Sequence, residues 1–375
     1  MNYGHKLFFH KDIYNIEDTN ALFLNAILEN IKHHTDNCPD YAKIISHQGF
    51  SINEVETIED IYKIPPIPTL FLKKHTLYSA PENQLMLKST TSGTGGKVSE
   101  MALDLSSAWR GMGMVLGTFL TNKLVSIHPT NYIVLGYQPS KRNKIGAVKT
   151  AYATTYAAPA IHREYALKDT GTDYVLNMDG IKNALLRYEK MGLPVRFIGF
   201  PAYFSFLLKE LIDSGIKLKL HPKSLIILAG GWKTFFAEQV DKPALYEMSQ
   251  EVLGLGGDRS KEFFGAVEHP IPYFNCPNHH FHVPIYSRVL IRDLNMQPVG
   301  YGVPGILNLI TPMMTSMPFV SVMTDDLAIM HPGEECGCGI NSPYFEILGR
   351  VGLADIKTCA ANAFELLDIK KGGAV

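Results

Sequence analysis

Apolar and polar residues alternate along this chain in three successive rhythms. Over residues 19–34, TNALFLNAILENIKHH, the side chains of Leu24, Ile27, Leu28 and Ile31 recur at the i, i+3, i+4, i+7 spacing of one helix face. The prolines of IPPIPT at 64–69 bar further helix and predict an extended linker. After a glycine- and hydroxyl-rich stretch, Ser106 is placed to cap a helix SSAWRGMGMVLGTFLTNKL, and NYIVLGY at 131–137 reads as a buried strand. The second rhythm then runs helix GIKNALLRYEKMG, strand VRFIGF, helix PAYFSFLLKELIDSG, strand SLIILAGG, helix 234–252 and strand KEFFGAVE. Within PAYFSFLLKELIDSG, Phe204, Leu207, Leu208, Leu211 and Ile212 share a face, and Gly215 suits the position just past the helix end. Helix–strand alternation of this kind predicts α/β layers around a largely parallel sheet. From residue 281 the rhythm shortens to FHVPIYSRVLIRD, GILNLITP and DLAIM, separated by Pro, Gly and Asn turns, which predicts a β-rich subdomain.

These changes divide the chain into a helical N-terminal segment and proline linker at 1–70, an α/β core at 71–270, a β-rich subdomain at 271–348, and a short tail at 349–375. A hydrophobic content of 46% over 375 residues is ample for a buried core, so a disordered or fibrous protein is excluded. The formal charge of −1 provides no general field for nucleic acid or an anionic membrane. Charges are scattered through the N-terminus, and nowhere do eighteen uncharged apolar residues run together, so neither a signal peptide nor a membrane span is expected. Five cysteines, two of them in CGCG, do not suit a secreted disulfide framework. A cytoplasmic protein is expected, with thiols that are reduced, ligating or reactive.

Residues 89–97, STTSGTGGK, consist of hydroxyl residues and glycines up to the closing lysine. Such a stretch buries little apolar area but exposes many backbone N–H groups, which suits it to wrap an oxyanion. Two common phosphate loops fail on spacing. A P-loop has glycine where Thr91 stands and a hydroxyl where Val98 stands; a dinucleotide fingerprint starting at Gly93 also needs glycine at Val98.

The stretch resembles the Thr/Ser-Ser-Gly-Thr/Ser-Thr-Gly-x-Pro-Lys loop of the adenylate-forming enzymes, departing from it at Gly95 and in lacking the proline before Lys97. The resemblance implies that Thr91, Ser92, Gly93, Thr94, Gly95, Gly96 and Lys97 hold the pyrophosphate of ATP. Further segments follow in the family's order. LAGGWK at 228–233 is similar to the family's adenine-side turn, which implies Gly230 and Gly231 there. FFGAVE at 263–268 resembles aromatic-Gly-x-Thr-Glu, with Val267 in place of threonine, and implies a backbone contact to AMP at Gly265 and a Mg²⁺ carboxylate at Glu268. VMTDDLA at 322–328 resembles Tyr-x-Thr-Gly-Asp-Leu, with Asp325 for the glycine, and implies Asp326 as acceptor for the ribose hydroxyls. LGRVGLADIK at 348–357 resembles Gly-Arg-x-Asp-x-x-Lys, with Gly352 for the aspartate, and implies Arg350 near ribose or phosphate.

Singly, each segment is also an ordinary strand end or charged turn; in order, they cover residues 89–357. They imply a layered α/β large domain with a β-rich subdomain, and attack of a carboxylate on the α-phosphate of ATP. That chemistry needs fixed N–H groups, Lys97 and Mg²⁺ but no general base, because the carboxylate is already ionised.

The sequence ends 18 residues after Lys357, without most of the C-terminal domain usual in that superfamily. This short form resembles the acyl-protein synthetases of bacterial bioluminescence operons. The resemblance implies a fatty acid substrate, an acyl group carried on a cysteine near the C-terminus, and a partner acyl reductase. Cys359 in DIKTCAANAFELL stands where that acceptor is expected, and Lys357 is placed to lower its pKa. A small buried residue is the alternative for Cys359. For the whole chain the alternatives are a shortened carboxylate–CoA ligase of the phenylacetate-CoA ligase type, and a catalytically silent acyl- or nucleotide-binding subunit.

CPNHHFH places Cys276 and His282 about sixty residues before Cys336 and Cys338 of CGCG. These four residues make a zinc-like set, with His279 or His280 as the alternative nitrogen ligand; a group of reduced core thiols is the competing reading.

Overall fold

Helix–strand alternation in the middle of the chain folds into a parallel sheet, as its pattern predicts. The computed structural model describes residues 2–90, 99–230 and 240–350. The chain divides into two units, one made of Met1–Lys88, Ser99–Thr118 and Ala266–Val375, the other of Ser89–Val98 and Phe119–Gly265.

In the second unit the strands run in the spatial order Ser260–Ala266, Leu225–Ala229, Val195–Gly199, Thr130–Tyr137, Ala160–Asp169, Tyr174–Leu176. All neighbours are parallel except the last pair. Strands buried on both faces read as continuous apolar runs, and in Thr130–Tyr137 only Tyr137 is not fully buried. Helices Met178–Met191, Pro201–Asp213 and Lys242–Leu253 join the core around Ile133, Leu185, Phe197, Phe204, Leu208 and Leu253. In the second of these helices Phe204, Leu207, Leu208 and Leu211 are buried, while Ile212 at the edge of the predicted face is 39% exposed. Gly215 follows that helix at φ +65°, the left-handed conformation that closes a helix end.

The helix expected at 234–252 is shorter where it is described. It begins at Lys242, because Asp241 caps it by accepting from the Ala244 N–H at 2.8 Å; positions 231–239 lie outside the described residues.

In the first unit a six-stranded sheet has the order Phe281–His282, Tyr344–Arg350, Ser321–His331, Gly305–Ile310, Arg288–Arg292, all antiparallel, and Ile67–Pro68 pairs in parallel with Ser321–His331. The proline segment thus ends in a short strand and a helical turn, Thr69–Leu72. Helix Ile16–Asn37 buries Phe23, Ala26, Ile27, Asn30, Ile31 and His34, so its inner face is rotated from the predicted one and leaves Leu24 and Leu28 half-buried. Polar residues cause the rotation. Asn30 Nδ2 and His34 Nε2 both donate to the Met314 carbonyl, at 2.6 and 3.0 Å, and apolar periodicity cannot report such bonds.

Helix Leu105–Thr121 is capped two residues earlier than expected, since Asp104, not Ser106, is the capping side chain and accepts from the Ser107 N–H at 2.8 Å. Among the described residues no helix is long and apolar enough to cross a membrane.

Candidate functional site

Glu268 lies between strands Ser260–Ala266 and His269–Phe274 and is only 4% exposed. Its Oε1 accepts a hydrogen bond from the hydroxyl of Ser99, a buried residue that directly precedes strand Glu100–Leu103. A buried carboxylate is stable only when donors or a cation meet its oxygens, and carboxylate oxygen is a donor that Mg²⁺ takes. Beside Ser99 in sequence, Glu100 accepts from the Tyr78 hydroxyl; burial first, then this carboxylate, pushes the Tyr78 phenol up from its usual range.

Asp326 and Arg350 sit directly opposite each other on neighbouring strands, Ser321–His331 and Tyr344–Arg350. Arg350 Nε lies 3.5 Å from Asp326 Oδ1. The arginine side chain is 69% exposed and the aspartate side chain 14%. Burial raises the Asp326 pKa, and the Arg350 charge and the Thr324 hydroxyl act against that rise. A largely desolvated carboxylate of this kind gains most from hydroxyl donors such as those of a ribose.

Asp325 turns its carboxylate the other way, to Thr69 Oγ1 at 3.2 Å and Lys73 Nζ at 3.2 Å. The residue that stands where the adenylate-forming pattern has glycine therefore ties the Thr69–Leu72 turn to the sheet. Successive residues of a strand face opposite sides, so the two neighbouring aspartates have separate tasks.

Gly230 follows strand Leu225–Ala229 at φ +77°, where a Cβ would stand 3.2 Å from the Phe200 ring. Gly265 is exposed near the end of strand Ser260–Ala266. Thr91, Ser92, Gly93, Thr94, Gly95, Gly96 and Lys97, together with Gly231, Lys357 and Cys359, lie outside the described residues.

The cysteine–histidine set converges. One ligand atom from each of Cys276, His282, Cys336 and Cys338 lies within 4.8 Å of all the others. Sγ of Cys276 is 3.5 Å from Sγ of Cys336, and Sγ of Cys338 is 3.3 Å from His282 Nε2. Three of the four residues are buried. Burial pushes the Cys276 thiol up, but its contacts with His282, the His280 N–H and Cys336 outweigh burial and bring the thiol below its usual range. Of the alternative nitrogens, His279 contacts Asn275 at 3.0 Å and His280 Nδ1 sits 3.1 Å from Cys336 Sγ.

Sequence reasoning did not single out Ser99 as the partner of Glu268, 169 positions away; nothing local marks that bond. Asp325 was legible only as a departure from pattern. Strand Tyr344–Arg350 is not among the expected elements, and only its last three residues fall in the LGRVGLADIK segment, although its YFEIL run carries the aromatic and β-branched residues that favour a strand.

Residues 8–367 match the family model described as "Acyl-protein synthetase, LuxE". Over 348 residues the chain is 25% identical to a long-chain-fatty-acid–luciferin-component ligase of Vibrio harveyi, covering 91% of this chain and 87% of that one. A protein of the same description from Aliivibrio fischeri is 24% identical over 332 residues, covering 86% and 84%. Among solved structures, 2-hydroxyisobutyryl-CoA ligase in an open conformation, in complex with 2-HIB-AMP and CoA, shares the fold at a TM-score of 0.68 and 15% identity, over 90% of this chain and 76% of that one. The fold is that of the large domain of the adenylate-forming enzymes.

Proposed function

This chain belongs to the LuxE acyl-protein synthetase family, and from that premise we propose that it activates a fatty acid with ATP and passes the acyl group through its own cysteine to a partner acyl reductase. The observation that carries this reading is the family match over residues 8–367. Two relatives whose names specify ligation of a long-chain fatty acid support the choice of substrate.

In the first step a carboxylate oxygen attacks the α-phosphorus of Mg·ATP; the bond from that phosphorus to the bridging oxygen breaks, and pyrophosphate leaves. Thr91 to Gly96 supply N–H groups and hydroxyls, and Lys97 a charge, for the phosphate oxygens on which negative charge accumulates. Glu268 ligates the magnesium of the substrate, Asp326 accepts from the ribose hydroxyls, and Arg350 lies beside ribose or phosphate. Gly230 and Gly231 keep the backbone bare on the adenine side, and Gly265 gives a backbone contact to AMP. In the second step the Cys359 thiolate attacks the acyl carbonyl, the bond to the phosphate oxygen breaks, AMP leaves and a thioester forms. The segment 349–375 acts as hinge and carrier, and the reductase then takes the acyl group from the thioester. A cytoplasmic location is part of this reading, and the four described cysteines, all free of disulfides, are compatible with it.

The test is to incubate the purified protein with ATP, Mg²⁺ and radiolabelled fatty acid and to look for protein-bound label that hydroxylamine removes. Label lost in Cys359→Ser but kept in Cys38→Ser is the expected result. Free acyl-CoA on addition of coenzyme A, with no labelled protein, would convert the reading to a shortened CoA ligase. Absence of pyrophosphate exchange with every fatty acid tried would leave only a binding subunit.

A further inference from the structure

The connection between strands Ser321–His331 and Tyr344–Arg350 carries Cys336 and Cys338, and the tight CPNHH turn supplies Cys276 to the same spot. We propose that Cys276, His282, Cys336 and Cys338 bind one zinc ion, and that this ion is a structural staple for the two-stranded ribbon that bears Asp326 and Arg350. The inference stands on this cluster alone and does not depend on the activity proposed above.

Ligand spacing is the first argument. Tetrahedral zinc with bonds of about 2.3 Å to sulfur and about 2.0 Å to nitrogen sets its ligand atoms roughly 3.5–3.8 Å apart. The Cys276–Cys336 sulfur separation of 3.5 Å and the Cys338–His282 separation of 3.3 Å are within a few tenths of an ångström of that figure.

The histidine tautomer is the second argument. His282 Nδ1 lies 2.7 Å from the Ser342 carbonyl, which can only accept. Nδ1 therefore carries the proton, and Nε2 presents a lone pair toward the sulfurs.

The surroundings of the sulfurs are the third. The Asn278 N–H donates to Cys276 Sγ at 3.3 Å, and His280 Nδ1 approaches Cys336 Sγ at 3.1 Å while its ring stacks on Tyr344 at 4.4 Å. Donors of this kind disperse the charge of zinc-bound thiolates. Gly337, at φ +69° between the two cysteines, provides the sharp turn that lets a Cys-x-Cys pair aim both sulfurs at one point.

A donor set of three sulfurs and one nitrogen selects zinc among the common divalent metals, and with all four positions filled by protein the site is structural. The place of the cluster in the sheet gives its role. His331 pairs with Tyr344 at the metal end of the ribbon, and Asp326 pairs with Arg350 at the other, about 17 Å along the strands. Zinc closes the Pro332–Pro343 connection against the Cys276–His282 hairpin and so fixes the register on which the Asp326–Arg350 pairing depends.

The full chain, expressed in zinc-replete medium and purified without chelator, is expected to hold about one zinc per chain. X-ray absorption should find a first shell of three sulfurs and one nitrogen. Cys338→Ser, at the most exposed of the four positions, should lower the zinc content to under about a quarter equivalent. Stripping the metal should remove amide-exchange protection from 326–331 and 344–350. Any of three results overturns the assignment: less than about a quarter equivalent in the unaltered protein, a first shell without sulfur, or full zinc retained in Cys338→Ser. Unchanged exchange after metal removal overturns the staple role.

Discussion

The Ser99 hydroxyl donates a hydrogen bond to Oε1 of Glu268, joining the start of one strand to a turn 169 residues later and fixing a carboxylate that solvent scarcely reaches. If that carboxylate meets the magnesium of ATP, its charge matters more than its shape. Glu268→Gln keeps an oxygen for Ser99 and should fold normally, yet lose about a hundredfold or more in fatty-acid-dependent pyrophosphate exchange. Ser99→Ala strips a donor from a buried charge and should cost about 1.5–3 kcal/mol in urea unfolding. Exchange at the unaltered rate in Glu268→Gln would remove it from the metal.

The adjacent aspartates should separate in function. Asp326→Asn is expected to raise the KM for ATP about tenfold to a hundredfold, the worth of charged hydrogen bonds to two hydroxyls, with little change in stability. Asp325→Ala loses its bonds to Thr69 and Lys73 and should cost about 1 kcal/mol of stability while leaving the KM for ATP alone. Arg350→Ala should change stability by less than about 0.5 kcal/mol, since its side chain is 69% exposed. Steady-state kinetics at varied ATP, paired with denaturation, tests all three.

Two histidines predict acid sensitivity. His34, between the Ser79 hydroxyl and the Met314 carbonyl, and His269, against the Tyr273 hydroxyl, are fully buried, and burial lowers the pKa of each to about 3. In the unfolded chain they protonate near pH 6.5. Below that pH the unfolded state binds protons that the folded state refuses. Stability is therefore fully present above about pH 6.5 and falls by about 1.4 kcal/mol per pH unit for each histidine until about pH 3, where the loss levels off. His269→Gln should flatten the dependence between pH 6 and 4.5 by about half of that two-histidine slope; an unchanged slope would contradict the assignment.

Glycines of helix Leu105–Thr121 should respond oppositely to the same change. A Cβ at Gly113 would lie 2.5 Å from the Phe8 carbonyl oxygen and 2.8 Å from the Phe9 ring, so Gly113→Ala should destabilise by about 1–3 kcal/mol. At Gly111 the nearest atom is the flexible end of Met313, at 3.1 Å. There the helix propensity of alanine should prevail and raise stability by up to about 1 kcal/mol. Thermal unfolding of the two variants decides it.

How much of this could be read in the sequence depends on the range of the forces involved. Alternating helices and strands of the second unit were legible because each element buries a continuous apolar run, as Ile133, Phe197 and Leu208 do. Placement of Cys276, His282, Cys336 and Cys338 was legible because ligand types and spacings are themselves the signal. Less local features were not. The start of the 105–121 helix turned on whether Asp104 or Ser106 accepted one N–H, and the face of the first long helix turned on two polar side chains reaching Met314. Asp325 looked like an error in a motif until Thr69 and Lys73, more than 250 positions away, gave it partners.

The discontinuity of the first unit bears on the birth of the protein. His34 waits for Met314, 280 residues downstream, before its ring has the carbonyl it bonds. At a synthesis rate of about 5–20 residues per second, the part of the first long helix that meets Met314 waits roughly 15–60 s for it. Residues 119–265 emerge in that interval and carry the five strands that pair in parallel, so this part can fold while still tethered to the ribosome. Translation order thus makes the second unit the early one, and leaves Asn30 and His34 of the N-terminal helix without their shared acceptor until residue 314 is made.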